Sequence, residues 1–220
     1  MTRERCLITV YMAAMMMLTC SAAGAAELGV RISTARGAPV ADAVVSVSPH
    51  GAAGAGAREP PATHIIDQKD ETFVPYVEIF RPGDSVVFRN SDQTRHHVYS
   101  FAPARQFEFV LTSGQSSTPL RLEQVGIVAV GCNIHDRMIT YLYIGDAPWM
   151  TRSAPDGYAV VALPPGDYDV SVWHPQLRPG QAPPLQTLHV AAAGEAHELT
   201  FKLSLLPDPR LHADRERVDY

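Results

Sequence analysis

The sequence predicts an all-β protein, and three observations carry that expectation. Beyond the N-terminal segment, short runs rich in Val, Ile, Tyr and Phe recur between turns containing Gly and Pro, as in β-sandwiches. No stretch there repeats apolar residues at helical spacing. With 46% hydrophobic residues in a length of 220, the chain can build one or two small packed domains. The net charge of −5 comes with no basic run, which argues against a nucleic-acid partner, since phosphate binding needs clustered Lys and Arg.

The first residues read as an export signal rather than part of the fold. Arg3 and Arg5 precede an apolar stretch over residues 6–19, and residues 21–26 are small and Ala-rich. This is the layout of a secretory signal peptide, residues 1–26, cut near Ala25 or Ala26. The apolar run is short for a membrane span, which needs roughly 20 residues. A lipidated Cys20 is a further alternative, disfavoured by Thr19 before it. Export implies a periplasmic location and removes Cys6 and Cys20. One thiol, Cys132, then stays in a compartment where cysteines oxidise unless something occupies them. A metal is one occupant; a buried, inert side chain is the other reading.

The expected elements follow in order. Residues 44–47 are a β-branched run. Residues 51–64, rich in Gly, Ala and Pro, read as a linker. Strands at 76–80 and 85–88 flank the turn Arg81-Pro82-Gly83-Asp84. Further strands are expected at 97–101, 108–111, 127–130 and 139–144. The turn Leu163-Pro164-Pro165-Gly166-Asp167 separates strands at 159–162 and 168–173. A last strand covers 197–203, and the polar tail over 206–220 is expected to be disordered.

The chemistry concentrates after the strand at 127–130, in Gly131-Cys132-Asn133-Ile134-His135-Asp136-Arg137-Met138. Two residues separate Cys132 from His135, and two separate His135 from Met138, so one short loop can present all three to a point. A thiolate and imidazoles in a plane, with a weak thioether on the axis, suit copper. A second imidazole must come from elsewhere, and His96 and His97 are the candidates. Alternation puts His96 on the face of Val98 and His97 on the face of Tyr99. Val98 is the better core residue, which favours His96. The rival readings are Met138 as core filler, His135 at the surface and His96 as a structural histidine. Zinc also takes Cys and His, but Met is a poor zinc ligand.

These residues resemble the cupredoxins, the small blue copper proteins such as plastocyanin and amicyanin. Phe73-Val74-Pro75, Val77, Ile79, Gly83-Asp84, Val86, Phe88 and Asn90 look like the family's opening strands. His96 with Val98 looks like its first-ligand strand. Gly126, Val128, Val130, Cys132, His135 and Met138 look like its closing strand and ligand loop, with amicyanin's spacing from His to Met. The resemblance implies a Greek-key β-sandwich over residues 65–147 holding one copper ion on His96, Cys132, His135 and Met138. It departs from the family at His97, where Asn is usual, and at Asn133, where Ser or Thr is common. Those positions brace the two ligand loops in the family, so the form of the brace here is open.

A second resemblance spans two separated pieces. Residues 30–47 and 154–172 are similar to the carboxypeptidase regulatory-like, transthyretin-like sandwich, through Gly37-Ala38-Pro39-Val40, Asp156-Gly157-Tyr158 and Pro165-Gly166-Asp167-Tyr168. It implies a second small immunoglobulin-like β-sandwich, discontinuous over 27–50 and 148–205, with the copper sandwich inserted. The combination is similar to bacterial proteins labelled methylamine utilisation proteins, with no substrate feature visible in the chain. Trp173-His174-Pro175 reads as a core-capping Trp beside a solvated His.

The cupredoxin resemblance implies one-electron transfer, with His135 passing the electron and other extracytoplasmic redox proteins as partners. No nucleophile–base pair is evident, so no enzyme is expected. The chain is expected to act as a monomer without stable membrane insertion. Copper storage, delivery or sensing is the alternative, and an adhesion role for the second sandwich is a third reading.

Overall fold

The computed structural model describes residues 25–51, 60–135 and 137–211. The chain is all-β, with a single short 3₁₀ turn, Pro209–Leu211, among the described residues. Its strands form four sheets.

The first two sheets come from the two ends of the chain. β1 (Ala26–Thr34) lies antiparallel to β13 (Tyr158–Leu163) and parallel to β16 (Ala196–Leu203). β2 (Val44–Pro49) runs between β12 (Trp149–Arg152) and β14 (Gly166–Trp173), and β15 (Leu185–Val190) pairs outside β14. Both sheets bury their inward residues in one core, including Leu28, Val30, Ile32, Val47, Leu163, Val170, Phe201 and Leu203. The turn before β13 depends on Gly157: at φ 75° it sits where a Cβ would come within 2.4 Å of the Ile32 carbonyl.

The other two sheets come from the middle. One has the order β4 (Thr72–Val74), β3 (Thr63–Lys69), β6 (Ser85–Asn90), β9 (Leu120–Arg121). The other runs β5 (Val77–Phe80), β11 (Ile139–Ile144), β10 (Gly126–Cys132), β7 (His96–Ala102), β8 (Arg105–Leu111). They enclose Ile66, Phe73, Phe88, Val98, Leu122, Val128, Val130 and Leu142, and the same core holds Cys132 and Met138. Alternation is strict where it matters: Thr140, Leu142 and Ile144 are buried, and the residues between them face the other side.

That other side is the seam. Ile139, Tyr141 and Tyr143 pack with Val44, Val77 and Trp173. Tyr143 stacks obliquely on Trp173 at 5.3 Å, and its hydroxyl lies 3.0 Å from Ser46 Oγ. Arg81 donates to the Ala147 and Pro148 carbonyls at 2.8 and 2.9 Å.

Several expectations change. β1, β3, β9, β12 and β15 lack a continuous β-branched or aromatic run and are strands the sequence does not separate, whereas β4 holds the Phe73-Val74 expected among the opening strands. Ala26, assigned to the signal peptide, is buried and pairs with Leu163; residues 1–24 of that segment lie outside the described residues. The linker expected over 51–64 gives way to β3 at Thr63, and residues 52–59 lie outside the described residues. The tail is not wholly without structure. Leu206 N–H donates to the Gln176 carbonyl at 2.8 Å, and the Arg210 guanidinium stacks 3.4 Å above the Tyr76 ring; residues 212–220 lie outside the described residues. Trp173 packs against the core of the first two sheets, as expected, and also reaches the seam, but His174 is buried rather than solvated, 5% exposed. Burial pushes its imidazole down to about 4 against a backbone hydrogen bond with Ala41.

No helix among the described residues is long and apolar enough to cross a membrane.

Candidate metal centre

Strand alternation sets the first position. On β7, His96, Val98 and Ser100 face inward and His97 and Tyr99 outward. β10 lies beside it, with Cys132 opposite Val98. Cys132 therefore ends its strand inside the core, next to His96. Beyond it the chain turns at once. Met138 N–H donates to the His135 carbonyl and Cys132 N–H to the Met138 carbonyl, each at 3.1 Å. This closure returns His135 to the thiol and leaves Met138 buried in the same core as Cys132.

The side chains converge. Donor atoms of His96, Cys132 and His135 all lie within 4.8 Å of one another, the one such group of His, Cys, Asp or Glu found among the described residues. Cys132 Sγ is 3.7 Å from Nδ1 of His96 and 3.7 Å from Nδ1 of His135. The two imidazole rings are 5.0 Å apart. With metal–sulfur and metal–nitrogen bonds of ~2.3 and ~2.0 Å, sulfur and nitrogen donors sharing a trigonal plane stand about 3.7 Å apart. The three side chains thus fit a single ion of modest radius.

The outer nitrogens also have partners. His96 Nε2 lies 2.8 Å from Asp92 Oδ2. A carboxylate only accepts, so the proton sits on Nε2 and the Nδ1 lone pair faces the thiol. Asp92 is itself held by the backbone N–H groups of Asp70 (2.6 Å) and Glu71 (3.1 Å). Burial alone pushes the Asp92 carboxyl up; the hydrogen bonds from His96, Glu71 and Asp70 outweigh it and keep the group below the usual carboxylate range. His135 Nε2 has Glu71 Oε1 at 3.7 Å, and its side chain is 22% exposed. The centre is therefore closed at His96, which is 0% exposed, and open at His135.

Of the four residues expected from sequence, the structure brings His96, Cys132 and His135 together and buries Met138 in the same core as Cys132. His97 faces away, with Nε2 2.6 Å from Glu108 Oε1 and Nδ1 3.4 Å from Asn133 Nδ2. Asp92, Glu71 and Glu108 were not anticipated. Asp92 did leave a signal: an acid four residues before His96, in a turn. Glu108 and Glu71 left none, because β7–β8 register brings the first within reach and tertiary packing of the turn between β3 and β4 the second.

By sequence, the chain matches no family model and no curated protein. Among solved structures it is similar to a Cu(I) form of an amicyanin mutant, at 14% identity and a TM-score of 0.34, over 46% of this chain and 98% of that one. It is similar to a copper-containing nitrite reductase from Thermus scotoductus, at 20% identity and a TM-score of 0.33, over 44% of this chain and 25% of that one. It is also similar to a purple cupredoxin from Nitrosopumilus maritimus, at 18% identity and a TM-score of 0.32, over 38% of this chain and 99% of that one. Likeness at this level does not establish membership of a family.

Proposed function

We propose that this chain is a periplasmic type 1 copper protein that carries single electrons between extracytoplasmic redox proteins. The observation behind the proposal is the placement of Cys132 Sγ 3.7 Å from Nδ1 of both His96 and His135, inside a β-sandwich core. Met138, in the same loop and buried in the same core as Cys132, would supply a thioether as a further, weaker donor. Copper, when bound there, supplies a one-electron redox couple. The protein's part is to hold the donors still. His96 is fixed by Asp92, and Cys132 and Met138 by the closed loop, so little rearrangement need accompany a change of charge. His135 is the donor with a path to solvent and would face the partner. No residue of the site selects an organic substrate, and the role proposed is that of a carrier rather than an enzyme. Residues 27–50 and 148–205 are read as one discontinuous domain that braces residues 65–147 from outside.

The test is the visible and electron spin resonance spectrum of Cu(II)-loaded protein beside Cys132→Ser. An intense thiolate charge-transfer band that disappears in the variant supports the proposal. A colourless protein whose Cu(II) signal is the same in both refutes thiolate-bound copper and turns the reading to copper storage or delivery.

A further inference from the structure

The outer face of β7 carries a second set of contacts that reach the ligand loop from the opposite side of the sheet. His97 lies on that face, next to Val110 and diagonal to Glu108, which is opposite Tyr99 in the β7–β8 register. Its Nε2 is 2.6 Å from Glu108 Oε1 and its Nδ1 is 3.4 Å from Asn133 Nδ2. The Asn133 N–H also donates to the His97 carbonyl at 3.0 Å. With the Asn133 amide nitrogen facing Nδ1, these contacts select one of the two neutral tautomers. Glu108 can only accept, so Nε2 carries the hydrogen. Nδ1 then offers a lone pair, which is what the Asn133 amide donor needs. With the other tautomer, Nδ1–H would face that amide N–H and Nε2 would face the carboxylate with a lone pair, two repulsive contacts in place of two hydrogen bonds.

We infer that Glu108 is a positioning residue for the metal centre: it fixes the tautomer of His97, and His97 in turn holds Asn133 and so the loop between Cys132 and His135. The inference rests on the copper reading above. It gives a function to a carboxylate that is 66% exposed and would otherwise count as half of an ordinary surface ion pair. Asn133 directly follows the thiol ligand, so a loop freed at Asn133 is freed at Cys132 and His135 together. A second partner thereby reaches the loop from the outside, complementing the Asp92 contact that holds His96 from the inside.

The experiment uses the full chain as wild type, Glu108→Ala and Glu108→Gln. Glutamine keeps an acceptor oxygen and is the conservative rescue. Imidazole nitrogen shifts of the metal-free proteins are read first. Wild type and Glu108→Gln should show His97 as the Nε2–H tautomer, and Glu108→Ala a mixture. Copper is then added. Glu108→Ala should lose Cu(I) to a soluble chelator about ten-fold faster than wild type and shift the thiolate band, whereas Glu108→Gln should do neither. An Nδ1–H tautomer in wild type, or a Glu108→Ala protein with wild-type band and Cu(I) loss, overturns the inference. A wild type with no thiolate band overturns the copper reading instead, and the metal-free tautomers still report on the tether.

Discussion

Each sandwich of this molecule buries one histidine at the end of its core, and the two differ in what their ring nitrogens face. His174, in the sandwich built from the chain ends, is 5% exposed, accepts a hydrogen bond from Gln176 N–H at Nδ1 and bonds the Ala41 backbone. Both nitrogens are satisfied by main chain. His96, in the sandwich built from the middle, is 0% exposed; Nε2 meets the Asp92 carboxylate and Nδ1 faces the Cys132 thiol. Main-chain partners suit a buried histidine to a structural role. A carboxylate behind the ring and a soft donor in front suit it to the ligand role proposed above, because the first fixes the tautomer and the second is a donor a metal can share. The same contrast separates the two sandwiches: the Asp208 carboxylate acts on His174 only as a nearby charge, and among the described residues the free thiol, Cys132, lies beside His96.

The largest effect that would sharpen this contrast is in copper binding. His96→Ala should abolish stoichiometric Cu(I) binding in a calorimetric titration, whereas His174→Ala should bind one copper as wild type does. Copper binding that survives in His96→Ala would break the comparison.

Stability against pH comes next. The His174 imidazole is held down at about 4, against 6.5 when unfolded. The unfolded chain therefore binds the extra proton first as pH falls. His174 contributes stability that is present in full above pH 6.5 and is lost between there and about pH 4. The loss should approach about 3 kcal/mol. Urea unfolding of the metal-free protein across this range should show the decline, and His174→Gln should flatten it.

A smaller effect is expected at Asp92. Asp92→Asn keeps the shape but removes the obligatory acceptor behind His96. Copper affinity should fall about ten-fold in a chelator competition, with the thiolate band still present. Smallest of all is the exposed pair of Arg31 and Glu198, 3.2 Å apart with both side chains 55% exposed. Glu198→Gln should change the unfolding free energy by less than about 0.5 kcal/mol and leave copper binding untouched.

Much of this arrangement is legible in the sequence because strand alternation and a short loop are local properties. Residues 139–144 and 168–173 alternate or run β-branched, and both are strands. The spacing from Cys132 to Met138 marks the loop, and Val98 points to His96 as the inward histidine. The missed strands each have a physical reason. β15 shows Leu185, Thr187 and His189 to solvent at a sheet edge, so it has no need of an apolar face. β3 begins with Thr63 and His64 directly after a Pro- and Ala-rich stretch and buries only Ile66 and Gln68. β9 has two residues, too few for any period to appear. Asp92 lies within one turn of His96 and was open to inspection, but Glu108 reaches His97 only through β7–β8 register. His174 shows the converse error: a histidine between Trp and Pro looks solvated, and tertiary packing buries it.

The most direct measurement is X-ray absorption at the copper edge of the loaded protein, wild type beside Cys132→Ser. The account predicts one short sulfur bond and two imidazole nitrogens in wild type, with the short sulfur absent from the variant. A shell of nitrogen and oxygen alone, identical in both proteins, would contradict it.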